Sequence, residues 1–178
     1  MYHEILTFWF KDTAPKMWWQ ADPDFDRTIE QRFGPLLIQA MQGELYSWRA
    51  EPQGRLAEII VLDQFSRNIY RNTPAAFAQD PMALALAQEA VAAGAQKSLS
   101  AMECGFLLMP YMHSESRQIH QQAEPLFLEF TPPNSYEFEL KHKAIIDRFG
   151  RYPHRNQVLG RSSSAEELAF LQQPGSSF

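Results

Sequence analysis

The chain has 178 residues, of which 45% are hydrophobic, 21% charged and 13% aromatic, and it carries a formal net charge of −5. That length and apolar content suit one compact domain, residues 1–178, with a core rich in aromatic side chains. The acidic balance argues against nucleic acid as a partner, which needs a broad basic face. No apolar run reaches the roughly 20 residues that cross a bilayer, so a membrane is not expected either.

Helical periodicity dominates the chain. Tyr2 to Phe10 reads as a short apolar helix. It has no basic segment ahead of its apolar run, unlike a secretory signal, and the cytoplasm is the expected location. Asp22-Pro23 opens the next helix, with Asp as cap and Pro in the first turn. Gly34-Pro35 is expected to break or kink it after Phe33, and Gly43 to end the continuation. Pro52 to Asn72 reads as a third long helix, stopped by Asn72-Thr73-Pro74. Asp80-Pro81 repeats the cap-plus-proline start for an alanine-rich helix that Gly94 ends. Ser100 with Glu103 forms a capping box for a helix through Leu108, which Pro110 interrupts. Ser114 is expected to open a helix to about Phe127. After the rigid Thr131-Pro132-Pro133 connector, Asn134 with Glu137 caps a helix ending at Gly150. Ser164 with Glu167 makes a further capping box for a last helix to about Gln172, and the tail from Pro174 is expected to be loose. The expected class is all-α, eight or nine helices whose short connections favour stacked antiparallel hairpins.

Three constellations could carry chemistry. Asp63, Arg67 and Arg71 are spaced by four along one helix, either as an ion-pair ladder or as a fork of donors offered to an anion. Met112-His113-Ser114-Glu115 supplies His113 and Glu115 as an acid–base pair, or as a capped helix start whose histidine bonds nearby backbone. No HExxH, paired cysteines or Gly-rich phosphate loop accompanies them, so neither a metal nor a cofactor is expected. Cys104 is the sole cysteine and sits in apolar text, which predicts a buried, inert thiol. The richest stretch is Asp147 to Glu167, which gathers Arg148, Arg151, His154, Arg155 and Arg161 in an acidic chain. Gly150 and Pro153 should fix a turn displaying His154, Arg155 and Asn156. Ser162 to Ser164 add hydroxyls and free N–H groups at a helix start. Such a cluster either holds a phosphate or carboxylate, or fastens the last helix through Asp63, Glu115, Asp147, Glu166 and Glu167.

The segments LTFWF, LAEIIVLDQFSRNIYR, PAAFAQDPMAL, FLLMPYMHSES and RFGRYPHRNQVLGRSSSAEELAFL together resemble the bacterial domain-of-unknown-function 924 family over nearly the whole chain. The resemblance implies an all-α fold similar to tetratricopeptide-like stacks of helical hairpins, and implies no activity. Beside it, the residues themselves favour a protein that binds a small anionic ligand. The expected pocket is lined by Asp63, Arg67, Arg71, His113, Glu115, Arg151, His154, Arg155, Asn156 and Arg161, and catalysis there stays open. The alternative is a tetratricopeptide-like interaction module whose groove takes a peptide or partner protein. A third outcome is that the polar clusters satisfy one another.

Overall fold

The computed structural model describes residues 2–177. Every regular element among them is helical: α1 (Tyr2–Thr7), α2 (Pro23–Met41), α3 (Pro52–Ile60), α4 (Ser66–Ile69), α5 (Asp80–Ala92), α6 (Ala101–Met112), α7 (Arg117–Phe130), α8 (Pro133–Phe149) and α9 (Ala165–Leu171). A π-helical turn, Val61–Phe65, joins α3 to α4 into one rod. Short 3-10 turns fill several connections, among them Tyr46–Ala50, Pro74–Phe77 and Pro153–Arg155.

Local signals set most of the starts and stops. The Asp22 carboxylate accepts the backbone N–H groups of Asp24 and Phe25, with Pro23 behind it. Ser100–Glu103 and Ser164–Glu167 both close reciprocal capping boxes. Gly150 ends α8 in the left-handed region, at φ 70°, and turns the chain back toward α7.

Several expectations are corrected. Helix α2 runs unbroken through Gly34-Pro35. An interior proline costs roughly 3 kcal/mol. Ile29, Phe33 and Leu37 are buried on either side of it, at roughly 1.5–3 kcal/mol each, so burial wins. Helix α6 likewise passes Pro110 and ends at Met112, because every residue from Cys104 to Met112 is buried. Helix α7 starts at Arg117 rather than at Ser114. Asn134 makes no cap, and the rigid prolines start α8 instead. Asp80 is the first residue of α5 rather than its cap, and its carboxylate turns to two arginines. The tail is tied down: Ser176 is buried and its hydroxyl donates to the Leu171 carbonyl. Phe178 lies outside the described residues.

The main core threads aromatic rings between a π turn that continues α1 (Phe8–Asp12), α2, the Val61–Phe65 π turn and α6. Phe8 meets Phe33 at 4.9 Å, Trp9 meets Phe65 at 5.6 Å, and Phe33 meets Phe65 at 5.2 Å between centroids. Trp18 closes this layer against Phe106 and donates its indole N–H to the Trp9 carbonyl. Gly54 of α3 lies directly beneath the Trp48 carbonyl. Cys104 is buried, and burial pushes its thiol up to about 11, which keeps it protonated. A smaller core near the C-terminus holds Ile145, Ile146 and Tyr152, flanked by Phe149 and Phe170. Among the described residues no helix is long and apolar enough to cross a membrane.

Candidate functional site

Asp63 sits in the π turn, 1% exposed. A π turn adds one residue to a helical circuit and so re-aims the side chains that follow. Here it turns Asp63 and Gln64 inward, against α6. Gln64 Nε2 donates to Asp63 Oδ2, and His113, the C-cap of α6, places Nδ1 2.8 Å from Oδ1. Arg67 Nη1 donates to the Asp63 carbonyl at 2.8 Å and to Oδ1 at 3.1 Å. Burial alone would raise the Asp63 carboxyl. Arg67, His113 and Gln64 outweigh it and hold the group well below the usual carboxylate range. His113 is pushed down by burial and by the Arg67 charge, against the pull of Asp63, and is a neutral imidazole near pH 7.

The network continues through Asp80. Its Oδ2 accepts from Arg67 Nη2 at 3.1 Å and from Arg155 Nη1 at 3.2 Å. Arg67 Nη1 also stands 3.0 Å from Asp80 Oδ1, as an ion pair out of hydrogen-bond alignment. The Arg155 guanidinium lies over the Phe77 ring at 4.6 Å and the Tyr152 ring at 4.7 Å, 6% exposed, and its buried Nε has no acceptor. Burial and the neighbouring Arg67 charge lower its affinity for its proton.

Tyr152 is the hub on the other side. It is fully buried and its hydroxyl donates to the Met112 carbonyl. The rings of His120, His142 and His154 surround it at 6.4, 5.7 and 5.6 Å between centroids. His120 contacts the buried Glu139 carboxyl through Nδ1 at 2.7 Å and the Ser114 carbonyl through Nε2 at 2.9 Å. Both partners accept hydrogen bonds, so one proton lies between Nδ1 and Glu139 and another on Nε2. Burial raises Glu139 and lowers His142 to about 3.

The C-terminal arginines dock onto carboxylates. Arg161 grips Glu115 with two bonds, at 2.6 and 2.8 Å, and the Tyr152 N–H donates to the same carboxylate at 2.7 Å. Glu115 would rise on burial, yet Arg161 and that N–H bring it below its ordinary value. Asn156 accepts Arg161 Nε at 2.9 Å and donates to the Ser163 hydroxyl at 3.0 Å. Arg151 holds Glu167 by two bonds, at 2.6 and 2.8 Å. These bonds, with the capping bond from Ser164, hold Glu167 down at about 2. A carboxyl lowered in the folded state adds stability above its unfolded value of 4.5 and loses it as pH falls toward about 2. Acid titration followed by near-ultraviolet circular dichroism should therefore show wild type losing stability across that window, and Arg151→Met losing less. Identical acid profiles would contradict this.

The predicted residues thus divide. Asp63, Arg67, His113 and Arg155 share one buried network, with Asp80 as the bridge. Glu115, Arg161 and Asn156 form a second group beneath Tyr152, while Arg151 pairs with Glu167. Arg71 leaves both, gripping Asp26 of α2 at 2.6 and 2.8 Å with Asn68 beside it. The spacing of four fails there because α4 ends at Ile69 and Asn72 adopts a positive φ. A cleft of about 550 Å³ is lined by Pro153, His154, Gln157, Arg161, Ser163, Leu168 and Leu171. A second, of about 400 Å³, includes Arg151, Glu166 and Glu167. Among the described residues no three His, Cys, Asp or Glu side chains are placed to hold a metal ion. Asp80, Tyr152, His120 and Glu139 had no place in the predicted set. Asp80 reads locally as a helix cap, and the others belong to no short motif.

Residues 5–175 match the model of a family described as bacterial protein of unknown function, DUF924. The chain belongs to the DUF924 family. A solved structure of a protein of unknown function from Agrobacterium tumefaciens is similar to it, with 33% identity, 96% of each chain covered and a TM-score of 0.91. No curated protein matches the chain. The all-α architecture is therefore that of a DUF924 protein.

Proposed function

We propose that this DUF924 protein binds a small organic anion, a short carboxylate or phosphate ester, in the cleft between the 153–163 segment and α9. The observation that carries the reading is the lining. Arg161, His154, Gln157 and Ser163 offer donors above an apolar floor of Pro153, Leu168 and Leu171. A concave site with an apolar floor and a few convergent polar groups is the usual form of a small-molecule site. Glu115 and Asn156 fix the Arg161 fork in place, so little conformational freedom is lost when a ligand arrives. Glu115 also offsets the Arg161 charge, so shape and donor placement matter more here than net charge. Burial first, and then the Arg155 charge, hold His154 down at about 4, so it enters as a neutral imidazole.

The test is thermal unfolding with acetate, butyrate, inorganic phosphate and a short alkyl phosphate. A ligand present at a hundred times its Kd stabilises the folded state by about 2.7 kcal/mol. That gain is expected in wild type and should fall to near zero in the His154→Ala/Gln157→Ala variant, which keeps the Glu115–Arg161 pair. If no anion stabilises wild type, or the variant responds equally, the cleft is not the site.

A further inference from the structure

We propose that Asp63 and His113 form a general-base dyad, in which His113 Nε2 withdraws a proton from water during hydrolysis of a small acyl ester. The proposal is independent of the cleft beside α9. It rests on how the two ring nitrogens of His113 are used. Nδ1 lies 2.8 Å from Asp63 Oδ1, and Asp63 cannot turn away, because Arg67 and Gln64 occupy its remaining acceptor sites. An ionised partner fixes the proton on Nδ1 and leaves the lone pair on Nε2. No side chain or backbone group among the described residues hydrogen-bonds Nε2, and Nε2 is absent from the buried polar atoms that lack a partner. Nε2 is therefore not fully enclosed, in a side chain 15% exposed. His120 is the contrast, because contacts to Glu139 and Ser114 occupy both of its nitrogens.

The setting suits a base more than a packing contact. Asp63 is a buried carboxylate delivered by a π turn, a rare insertion that recurs at functional positions. The charged and titratable groups around His113 come from several elements. Arg67 stands on α4, Asp80 on α5 and His142 on α8, with His154 and Arg155 on the turn after α8. Asp63 and Asp80 balance Arg67 and Arg155, so the surroundings are near neutral and favour an uncharged substrate. In the step, Nε2 accepts a proton from water as the water oxygen bonds to the acyl carbon. The carbonyl electron pair moves onto its oxygen. Collapse of that adduct expels the alkoxide, which takes the proton back from the imidazolium, so acid and alcohol leave while Asp63 stays ionised throughout. Addition puts negative charge on the former carbonyl oxygen, and Arg67, whose charge acts on His113, supplies positive charge within the same network.

The probe is p-nitrophenyl acetate with the full chain. Wild type is expected to exceed His113→Gln in kcat/KM by on the order of 10²-fold. Its rate should rise through one inflection below the ordinary histidine value of 6.5 and fall in D2O. Histidine ¹⁵N spectra at neutral pH should show His113 protonated on Nδ1. Asp63 is the positioning residue: Asp63→Asn should move the proton to Nε2 and displace the inflection. Should that variant not fold, the His113→Gln rates and the wild-type tautomer decide alone. Equal rates in wild type and His113→Gln, an Nε2-protonated ring, or an acyl-imidazole that accumulates without slowing in D2O would each overturn the proposal.

Discussion

Asp63→Ala should lower the free energy of unfolding by about 3–5 kcal/mol, the cost of stranding a buried charge. Asp63 answers three donors at once, on Gln64, Arg67 and His113. Its removal leaves Arg67 and Arg155 sharing Asp80 alone, with the Arg155 Nε already lacking an acceptor. Two guanidinium groups beside one carboxylate repel, and Arg155 is buried while Arg67 is only partly exposed. Asp24→Ala is the contrast, because the Asp24–Arg27 pair is largely exposed and such pairs contribute only ~0–1 kcal/mol. Urea unfolding monitored by circular dichroism separates the cases. A loss below about 1 kcal/mol for Asp63→Ala would mean that the network is better hydrated than its burial implies.

Gly54→Ala is expected to cost about 3 kcal/mol or more, although alanine favours helices. A Cβ on Gly54 would stand 2.0 Å from the Trp48 carbonyl oxygen and 2.8 Å from its carbon. Both are backbone atoms and cannot rotate aside. The turn Tyr46–Ala50 would have to lift from α3, straining the pair by which Arg49 grips buried Glu58 at 2.7 and 2.8 Å. Gly34→Ala is the internal control. There the nearest atom to a new Cβ outside its chain neighbours is 4.0 Å away, and the gain in helix propensity is offset by the crowding that Pro35 imposes on the residue before it, so the change should stay within about 1 kcal/mol of wild type. A large loss at Gly54 and a small change at Gly34, read from thermal midpoints, are the expected result. A neutral Gly54→Ala would show that the Trp48 turn slides freely.

Helix boundaries were legible wherever a local signal acts alone. Ser100, Ser164, Asp22 and Gly150 work through groups three or four residues away, and each does what its neighbours imply. Prolines were misread for the opposite reason. Whether Pro35 or Pro110 breaks a helix depends on how much apolar surface the rest of that helix buries, a tertiary quantity. The Asp63–Arg67 pair was legible from spacing, and Arg71 was not, because the turn at Asn72 ends the helical register. The cluster near residue 150 announced itself by composition. Its carboxylate partners Glu115, Glu166 and Glu167 were among the acids the sequence offers, and they pair with Arg161, Arg148 and Arg151; Asp80 was not, because it looks like a cap, and nothing local marks Tyr152 as the residue beneath which His120 and Glu115 assemble.

Glu115 reaches Arg161 across 46 positions of chain, and Tyr152 reaches Met112 across 40. A ribosome delivers these partners late, after α1 to α7 have already emerged. Until the final segment arrives, Glu115 lacks its arginine and His120 lacks its covering phenol. The wall of the cleft at Arg161 can accordingly form only after α1 to α8 have been made. Any nascent chain halted before residue 161 would carry the early helices without the Arg161 side of the proposed cleft.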